Sequence, residues 1–525
     1  MTRPVEVLSS DCSQGVSVFK NGGKHLPKVI LLASLALASY VAVWVWLNIQ
    51  ADHPMEYREN AVLFTADLVS RGENPYALEH RPVYVNGFGM GYYWVSYPFV
   101  RLFGNSYLVL RAVSLTFLVA TCALLAWAVR FDKGSRTFAL IAALALFSQL
   151  GQGLSIVARP DSLGMFFLLA GLFIPYRFRF RPVALAIGAA MLILGYLTKP
   201  YFLVGLPLLV LYVFLFESKL RAFLFGLAAF IALGITVFAI NAAYECYFTD
   251  TFFATAQQIS RSWEHLLKNG TRFVVENLGF VLILIARFAF ASKGVPDDKA
   301  VPAPEGINFA RLRSPLLPMK MSFPGFILIG HSLALIFLLG LHKGNDILYY
   351  HQLISPFLLW IACWAADVKL LRYWPVSLVL LGNILSFAVL ASPLPEDHSA
   401  EWRQLERRMA LYTNVFAAPH VSHFLWRNGA PVYDNGHTEG LLGAFDRNIT
   451  PVSNAYRART DAFLLDIRSK VQNKEFDMII ACRGWAPLLP AEELKQHYTY
   501  IGLQAAPMTF DYWLKPHPLE VWVLR

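Results

Sequence analysis

Residues 29–49 read VILLASLALASYVAVWVWLNI, an apolar stretch without a single charge. A helix of about 20 such residues crosses the hydrocarbon core of a bilayer, about 30 Å thick. The stretch is too long for the apolar region of a secretory signal, and Asn48-Ile49-Gln50 at its end is no small-residue cleavage site. It is expected to stay in the chain as an anchor.

Reading outward, comparable stretches recur near 107–129, 137–152, 162–176, 183–198, 201–217, 222–243, 278–291, 324–341, 352–366 and 374–392. Only 15% of the residues are charged and 56% are apolar, whereas an average soluble domain is about 25% charged. Too little polar surface remains to cover a soluble protein of this length. The fold class expected is an all-α polytopic membrane bundle of about eleven transmembrane helices, followed by a small C-terminal α/β domain.

Lys and Arg fix the expected orientation. With residues 1–28 in the cytoplasm, the cytoplasmic loops hold Lys20, Lys24 and Lys28, Arg130 to Arg136, Arg177 to Arg181, Lys219 and Arg221, and Lys369 with Arg372. The short loops opposite carry little beyond Arg159, Lys199 and Lys343. The net charge of +10 therefore reads as topology, not as a nucleic-acid surface. Domain by domain, 29–393 is the transmembrane part, with a first outer loop at 50–106 and a cytoplasmic linker at 293–322 that is rich in Pro and charge. Residues 394–525 form the outer-face soluble domain. The compartment expected is a bacterial inner (plasma) membrane, with the C-terminal domain periplasmic or extracellular. Five scattered cysteines make no disulfide framework, although Cys246 and Cys482 both lie outside the spans. The sequons at Asn269 and Asn448 read as chance.

The first outer loop is long enough to have its own structure. Val62, Leu63, Ala66 and Val69 recur at helical spacing between Glu59 and Ser70, predicting an interfacial amphipathic helix ended by Gly72. A second interfacial helix is expected from Tyr92 to Phe103, before Gly104-Asn105. In the tail, 399–414 reads as an amphipathic helix, and 431–433 and 476–480 as short apolar runs.

Ionisable side chains at the membrane edge are costly and mark candidate sites. Three groups fall at one outer level: Glu56-Tyr57-Arg58-Glu59, Arg159-Pro160-Asp161 and Thr198-Lys199-Pro200. Each has a plainer explanation: an Asp in a first helical turn complements the helix dipole, and a lysine at a helix end snorkels. Together, two carboxylates and a lysine suit acid–base work and anion binding. Tyr349-Tyr350-His351-Gln352 lies at the same level, either touching a carrier phosphate or belonging to an aromatic belt. Tyr433 to Glu439 in the tail is either an acceptor contact or a turn. Arg111 and Arg287 lie within or beside apolar spans.

Glu59, thirteen residues before Gly72 and followed by Asn74-Pro75-Tyr76, resembles the acidic position of the first outer loop of GT-C glycosyltransferases. So do Tyr92-Tyr93 and Leu102-Phe103-Gly104, and Arg159-Pro160-Asp161 looks like that family's second acidic position. Within the superfamily the resemblance is to the protein O-mannosyltransferase and aminoarabinose transferase group and to Rgt-type transferases. It covers roughly residues 29–392; the tail carries no motif of the family. The resemblance implies an inverting transfer of a hexosyl or pentosyl sugar from a polyprenyl-phosphate carrier to a lipid, glycan or protein acceptor at the outer face. Glu59 is then expected as catalytic base, nearest to water, and Asp161 as organiser on the phosphate side, within about 10 Å of it. Glu56, Arg58, Arg159, Lys199, Tyr92, Tyr350 and His351 are expected to bind substrate. Many relatives carry adjacent acids in the first loop, whereas here Arg58 separates Glu56 from Glu59. That departure leaves a Mg or Mn ion at Glu59 and Asp161 thinly supplied with ligands, and no other cofactor is expected. Two further functions compete: a transporter or lipid flippase, which the absence of an inverted repeat speaks against, and a non-catalytic envelope assembly protein, which leaves the clustered acids unexplained.

Overall fold

The computed structural model describes residues 26–153, 155–254, 262–291, 321–339, 347–365, 373–390, 399–435, 438, 453–482, 489, 491–505 and 518–525. The N-terminal tail and nearly all of the cytoplasmic linker lie outside these residues, as does the side chain of Arg287.

A helix stands at every one of the eleven expected spans: α1 Leu26–Ile49, α4 Tyr107–Lys133, α5 Arg136–Leu150, α6 Asp161–Arg177, α7 Pro182–Thr198, α8 Gly205–Phe216, α9 Lys219–Ala243, α11 Leu278–Ala291, α12 Phe323–Ala334, α13 Ile347–Ala365 and α14 Tyr373–Leu390. Among the described residues, three helices are by themselves long and apolar enough to cross a membrane: Lys28–Ile49, Tyr107–Lys133 and Lys219–Ala243. Shorter apolar helices, such as Arg136–Leu150 and Pro182–Thr198, stand among them. Serines start several of these helices by accepting a backbone N–H two or three residues on, as Ser106 does from Val109 at 3.3 Å. Phe230 and Phe238 on α9 are 73% and 76% exposed, a surface that only lipid or another apolar partner would cover.

The first loop folds as α2 Arg58–Ser70 and α3 Gly91–Phe103. The second has the exposed apolar side chains Trp94, Tyr97, Leu102 and Phe103. The first is not interfacial. Glu59 to Thr65 are all buried in it, because the tail covers the face that the pattern assigned to the membrane surface. Between α9 and α11 lies one helix that apolar runs did not reveal, α10 Trp263–Glu276.

The tail contributes α15 Ser399–Met409, α16 Ser422–Arg427, α17 Asn454–Gln472, α18 Ala491–His497 and four strands. These are β1 Val415–Ala417, β2 Met478–Cys482, β3 Tyr498–Ala505 and β4 Pro518–Leu524, in the order β1-β2-β4-β3. β1 and β2 run parallel; the other pairs are antiparallel. Side chains alternate across a strand, and here both faces are buried. Met478, Ile480, Leu519 and Val521 join Val62, Leu63 and Tyr92 of the first loop in one core. Ile479, Phe416 and Trp522 meet Ile467 and Val471 of α17 in another. The tail is therefore a roof sharing a core with the first loop, not a free-standing domain. Residues 431–433 form no strand, and Cys246 is a buried free thiol, so the bridge left open by the sequence is not made.

Candidate functional site

Arg111, fully buried on α4, sets the path of the loop between α1 and α2. It donates to the carbonyls of Ala51 (2.5 Å) and His53 (2.7 Å) and grips Glu59 through Nε (2.9 Å) and Nη2 (2.7 Å). Glu59 also accepts the N–H groups of Met55 and Ala158, each at 2.6 Å. A carboxylate offers about four lone-pair sites, and all are taken by this chain. The expectation that Glu59 is the base is thereby corrected. It ties the first loop to α4 and to the turn before α6, because an arginine 52 residues further along claims it.

Glu56 is placed differently. It is 1% exposed; Oε2 accepts the Arg58 N–H at 3.1 Å and lies 3.6 Å from Arg159 Nη1. Its Oε1 makes no hydrogen bond, and Arg58 Nε lies 3.9 Å from it. Burial raises its pKa against the pull of Arg159 and Arg58.

Asp161 opens α6 between two cations. Its Oδ2 accepts from Arg159 Nε at 3.1 Å and its Oδ1 from Lys199 Nζ at 2.7 Å. Lys199 follows α7 directly, so the end of that helix sets its position. Burial and the like charge of Arg159 pull the Lys199 ammonium below its usual range. The structure thus brings Glu56, Arg58, Arg159, Asp161 and Lys199 together, with one more cation than carboxylate.

Four neutral residues complete the cluster; the sequence marked Tyr349 and Gln352 through the run 349–352 but did not single out Phe88 or Tyr201. The Tyr201 hydroxyl lies 3.2 Å from both Asp161 Oδ1 and Gln352 Oε1. Phe88 and Tyr349 turn ring faces to Lys199, 4.8 and 5.6 Å from its Nζ. Adjacency to Lys199-Pro200 was the available signal for Tyr201.

Three expected substrate contacts are corrected. The Tyr92 hydroxyl donates to the Leu110 carbonyl at 2.7 Å and lies 3.1 Å from Ser114, pinning α3 to α4. Tyr350 packs on Phe273 and reaches the Leu266 carbonyl at 3.4 Å. His351 faces Glu276 (2.8 Å) and Gln149 (2.9 Å), joining α13 to α10 and α5. In the tail, Asn435 donates to the Val85 carbonyl (2.7 Å) and Thr438 to that of Pro82 (2.9 Å), which is docking to the first loop. Gly436, His437 and Glu439 lie outside the described residues.

A divalent ion needs several oxygen ligands not already committed to cations. Glu59 is spent on Arg111, and both oxygens of Asp161 are held by Lys199 and Arg159. No group of three or more metal-ligating side chains occurs among the described residues. As arranged, this donor set does not fit Mg or Mn.

An apolar groove of about 1040 Å³ runs between α7 and α9. Leu185, Ala189, Ile193 and Leu197 line one wall, and Leu224, Ala228 and Ala232 the other. It spans α7 from Pro182 to Leu197, about 22 Å at the rise of a helix, and ends two residues before Lys199.

No protein-family model matches the chain, and no curated protein sequence matches it significantly. Solved structures do. The crystal structure of ArnT from Cupriavidus metallidurans bound to undecaprenyl phosphate superimposes with a TM-score of 0.53 at 13% identity, covering 93% of this chain and 97% of that one. The same protein in the apo state gives 0.55 at 14%, with the same coverage. This chain has the fold of ArnT over nearly the whole length of both. The resemblance read from the loop residues was to that fold.

Proposed function

We propose that this protein is an inverting glycosyltransferase that moves a sugar from a polyprenyl-phosphate carrier to a lipid, glycan or protein acceptor at the outer face of a membrane. In this reading its eleven helices span a bacterial inner membrane, with the N-terminus inside and the tail outside. The observation that carries it is the buried Arg159–Asp161–Lys199 cluster, with an apolar groove along α7 whose wall stops two residues before Lys199 in the chain. Such a site takes a phosphate whose long hydrocarbon chain must stay out of water. The undecaprenyl phosphate in the ArnT crystal structure supports a donor of this class.

The chemistry follows from the side chains. The acceptor oxygen attacks the anomeric carbon while the bond from that carbon to the phosphate oxygen breaks, with inversion. Negative charge grows on the leaving phosphate, where Lys199 and Arg159 stabilise it. Asp161 holds both cations in place and keeps the cluster close to neutral before substrate arrives. The acceptor proton goes to Glu56, whose Oε1 is buried and not hydrogen-bonded. Its raised pKa moves it toward the working pH, as a general base requires.

The test is to incubate the purified protein with a set of polyprenyl-phosphate sugars and follow loss of sugar from the carrier. Release or transfer, abolished by Lys199→Gln, is expected. A protein that binds or moves the carrier and leaves every sugar attached is a transporter, and the proposal falls.

A further inference from the structure

Phe88 stands in a run unlike any other in the chain, Gly87-Phe88-Gly89-Met90-Gly91. Its glycines allow a close approach. A β-carbon on Gly89 would fall on the Leu197 carbonyl at the end of α7, and one on Gly91 would come within 3.1 Å of the same residue. The Gly89 N–H donates to the Thr198 carbonyl at 3.0 Å. The loop is fixed from its other side too: the Phe88 N–H donates to Asn86 Oδ1 at 3.1 Å, and the Phe88 carbonyl accepts from the Tyr76 hydroxyl. Asn86 in turn donates to Tyr76 at 2.8 Å and accepts from Tyr93 at 3.1 Å. So much bonding leaves the Phe88 ring one place to be.

That place is against both cations of the site. The Phe88 centroid lies 4.8 Å from Lys199 Nζ and 5.3 Å from the Arg159 guanidinium carbon. The two cations repel each other, and Asp161 is the carboxylate that bonds to both. An aromatic face carries partial negative charge and attracts cations within about 6 Å, more strongly when water is excluded. Arg159 is fully buried and Lys199 4% exposed, so water is largely excluded here.

We propose that Phe88 is a positioning residue: its ring, locked by the glycine loop onto the end of α7, holds Arg159 and Lys199 charged and side by side where one phosphate takes both. It does not touch the substrate. The ring supplies attraction that does not compete for the phosphate, as a second carboxylate would. The inference rests on the reading of the site as a polyprenyl-phosphate site.

The experiment replaces Phe88, in the full-length protein, with phenylalanines carrying one, two and three ring fluorines. Fluorination keeps the ring's shape while draining its face of negative charge. Affinity is measured for undecaprenyl phosphate and for undecaprenol, which has the same tail and no charge. Phosphate affinity should fall stepwise with each fluorine, by about tenfold across the series, with undecaprenol affinity unchanged. Phe88→Tyr should bind like wild type, and Phe88→Leu like the most fluorinated form. A flat series, or equal losses for both lipids, overturns the proposal and leaves Phe88 as packing. If wild type itself does not prefer the phosphate, or Lys199→Gln keeps the preference, the donor reading fails first and this inference with it.

Discussion

Two aspartates, Asp161 buried and Asp132 half-buried, sit at opposite ends of the same bundle. Asp161 at the head of α6 is held by Lys199 and Arg159, full charges, with Glu56 close by. Asp132 near the end of α4 accepts from Trp360 Nε1 at 2.7 Å and from the Tyr176 hydroxyl at 3.0 Å, both neutral. Around Asp132, Tyr176 stacks on Phe323 at 5.1 Å, while Phe180 and Trp360 meet Tyr176 edge to face at 6.4 and 5.5 Å and Phe173 meets Trp360 in the same way. That end is filled: both oxygens of Asp132 are bonded by neutral donors and the gaps are closed by aromatic carbon. The Asp161 end keeps surplus positive charge and an unbonded carboxylate oxygen. A carboxylate in a membrane protein is thus not a site because it is buried; it is one when its neighbours leave something for a ligand to satisfy.

The largest effect expected separates the two aspartates directly. Asp161→Asn should lower transfer by about 10²–10³, since it disorders the cations that meet the leaving group, whereas Asp132→Asn should leave turnover within about threefold of wild type, a neutral contact being all that is lost. Matching losses in a steady-state transfer assay would erase the distinction between the two ends.

The same logic divides the two glutamates of the first loop. Glu56→Gln should lower turnover by about 10²-fold with folding intact. Glu59→Gln should act through stability, because it strands the Arg111 guanidinium in a buried place, at a cost of about 3–5 kcal/mol. A thermal melt separates them: the Glu59 variant melts early and the Glu56 variant does not. The reverse pattern would return the role of base to Glu59.

A pH profile sharpens the picture on a smaller scale. Burial raises the folded pKa of Glu56 above 4.5, while Arg159 and Arg58 oppose the rise and Glu59 adds to it. A base works deprotonated, so kcat/KM should fall as pH drops through that raised value, not at the ordinary carboxylate value. Arg58→Gln removes one opposing charge and should move the acid limb to higher pH. A limb that stays put in the variant would mean that another group controls it. The smallest effect belongs to the filled end: Trp360→Phe removes one hydrogen bond to the Asp132 carboxylate and should cost about 1.5–3 kcal/mol of stability, read as a drop in Tm with unchanged KM.

The helices were legible because a membrane imposes length and apolarity on every span, so that 107–129 or 374–392 announce themselves. Asp161 and Lys199 were legible for a related reason: charges at the same end of neighbouring antiparallel helices lie at one level. The choice between Glu56 and Glu59 was not, since it depends on Arg111, which α4 delivers from a distant stretch of sequence. Phe88 and Tyr201 escaped notice because neutral residues in an aromatic-rich chain carry no mark of their own. The roof left a trace that was read too simply. Met478-Ile479-Ile480 is a continuous apolar run rather than an alternating one, which in a strand means cover on both faces, and the second cover is the first loop.

That roof also imposes a schedule. Asn60, next to Glu59, is clasped by the Pro419 carbonyl and the Tyr107 hydroxyl, and Trp426 reaches Asp67 further along the same helix at 3.4 Å. β2 lies between β1 and β4, and Leu519 and Val521 of β4 belong to the core that covers α2. A ribosome has to pass residue 521 before the loop bearing both glutamates gains its full cover, long after every membrane helix has been made. A chain interrupted anywhere between the bundle and that strand would be inserted yet unfinished at its reactive end, and so would remain silent until the sheet closes.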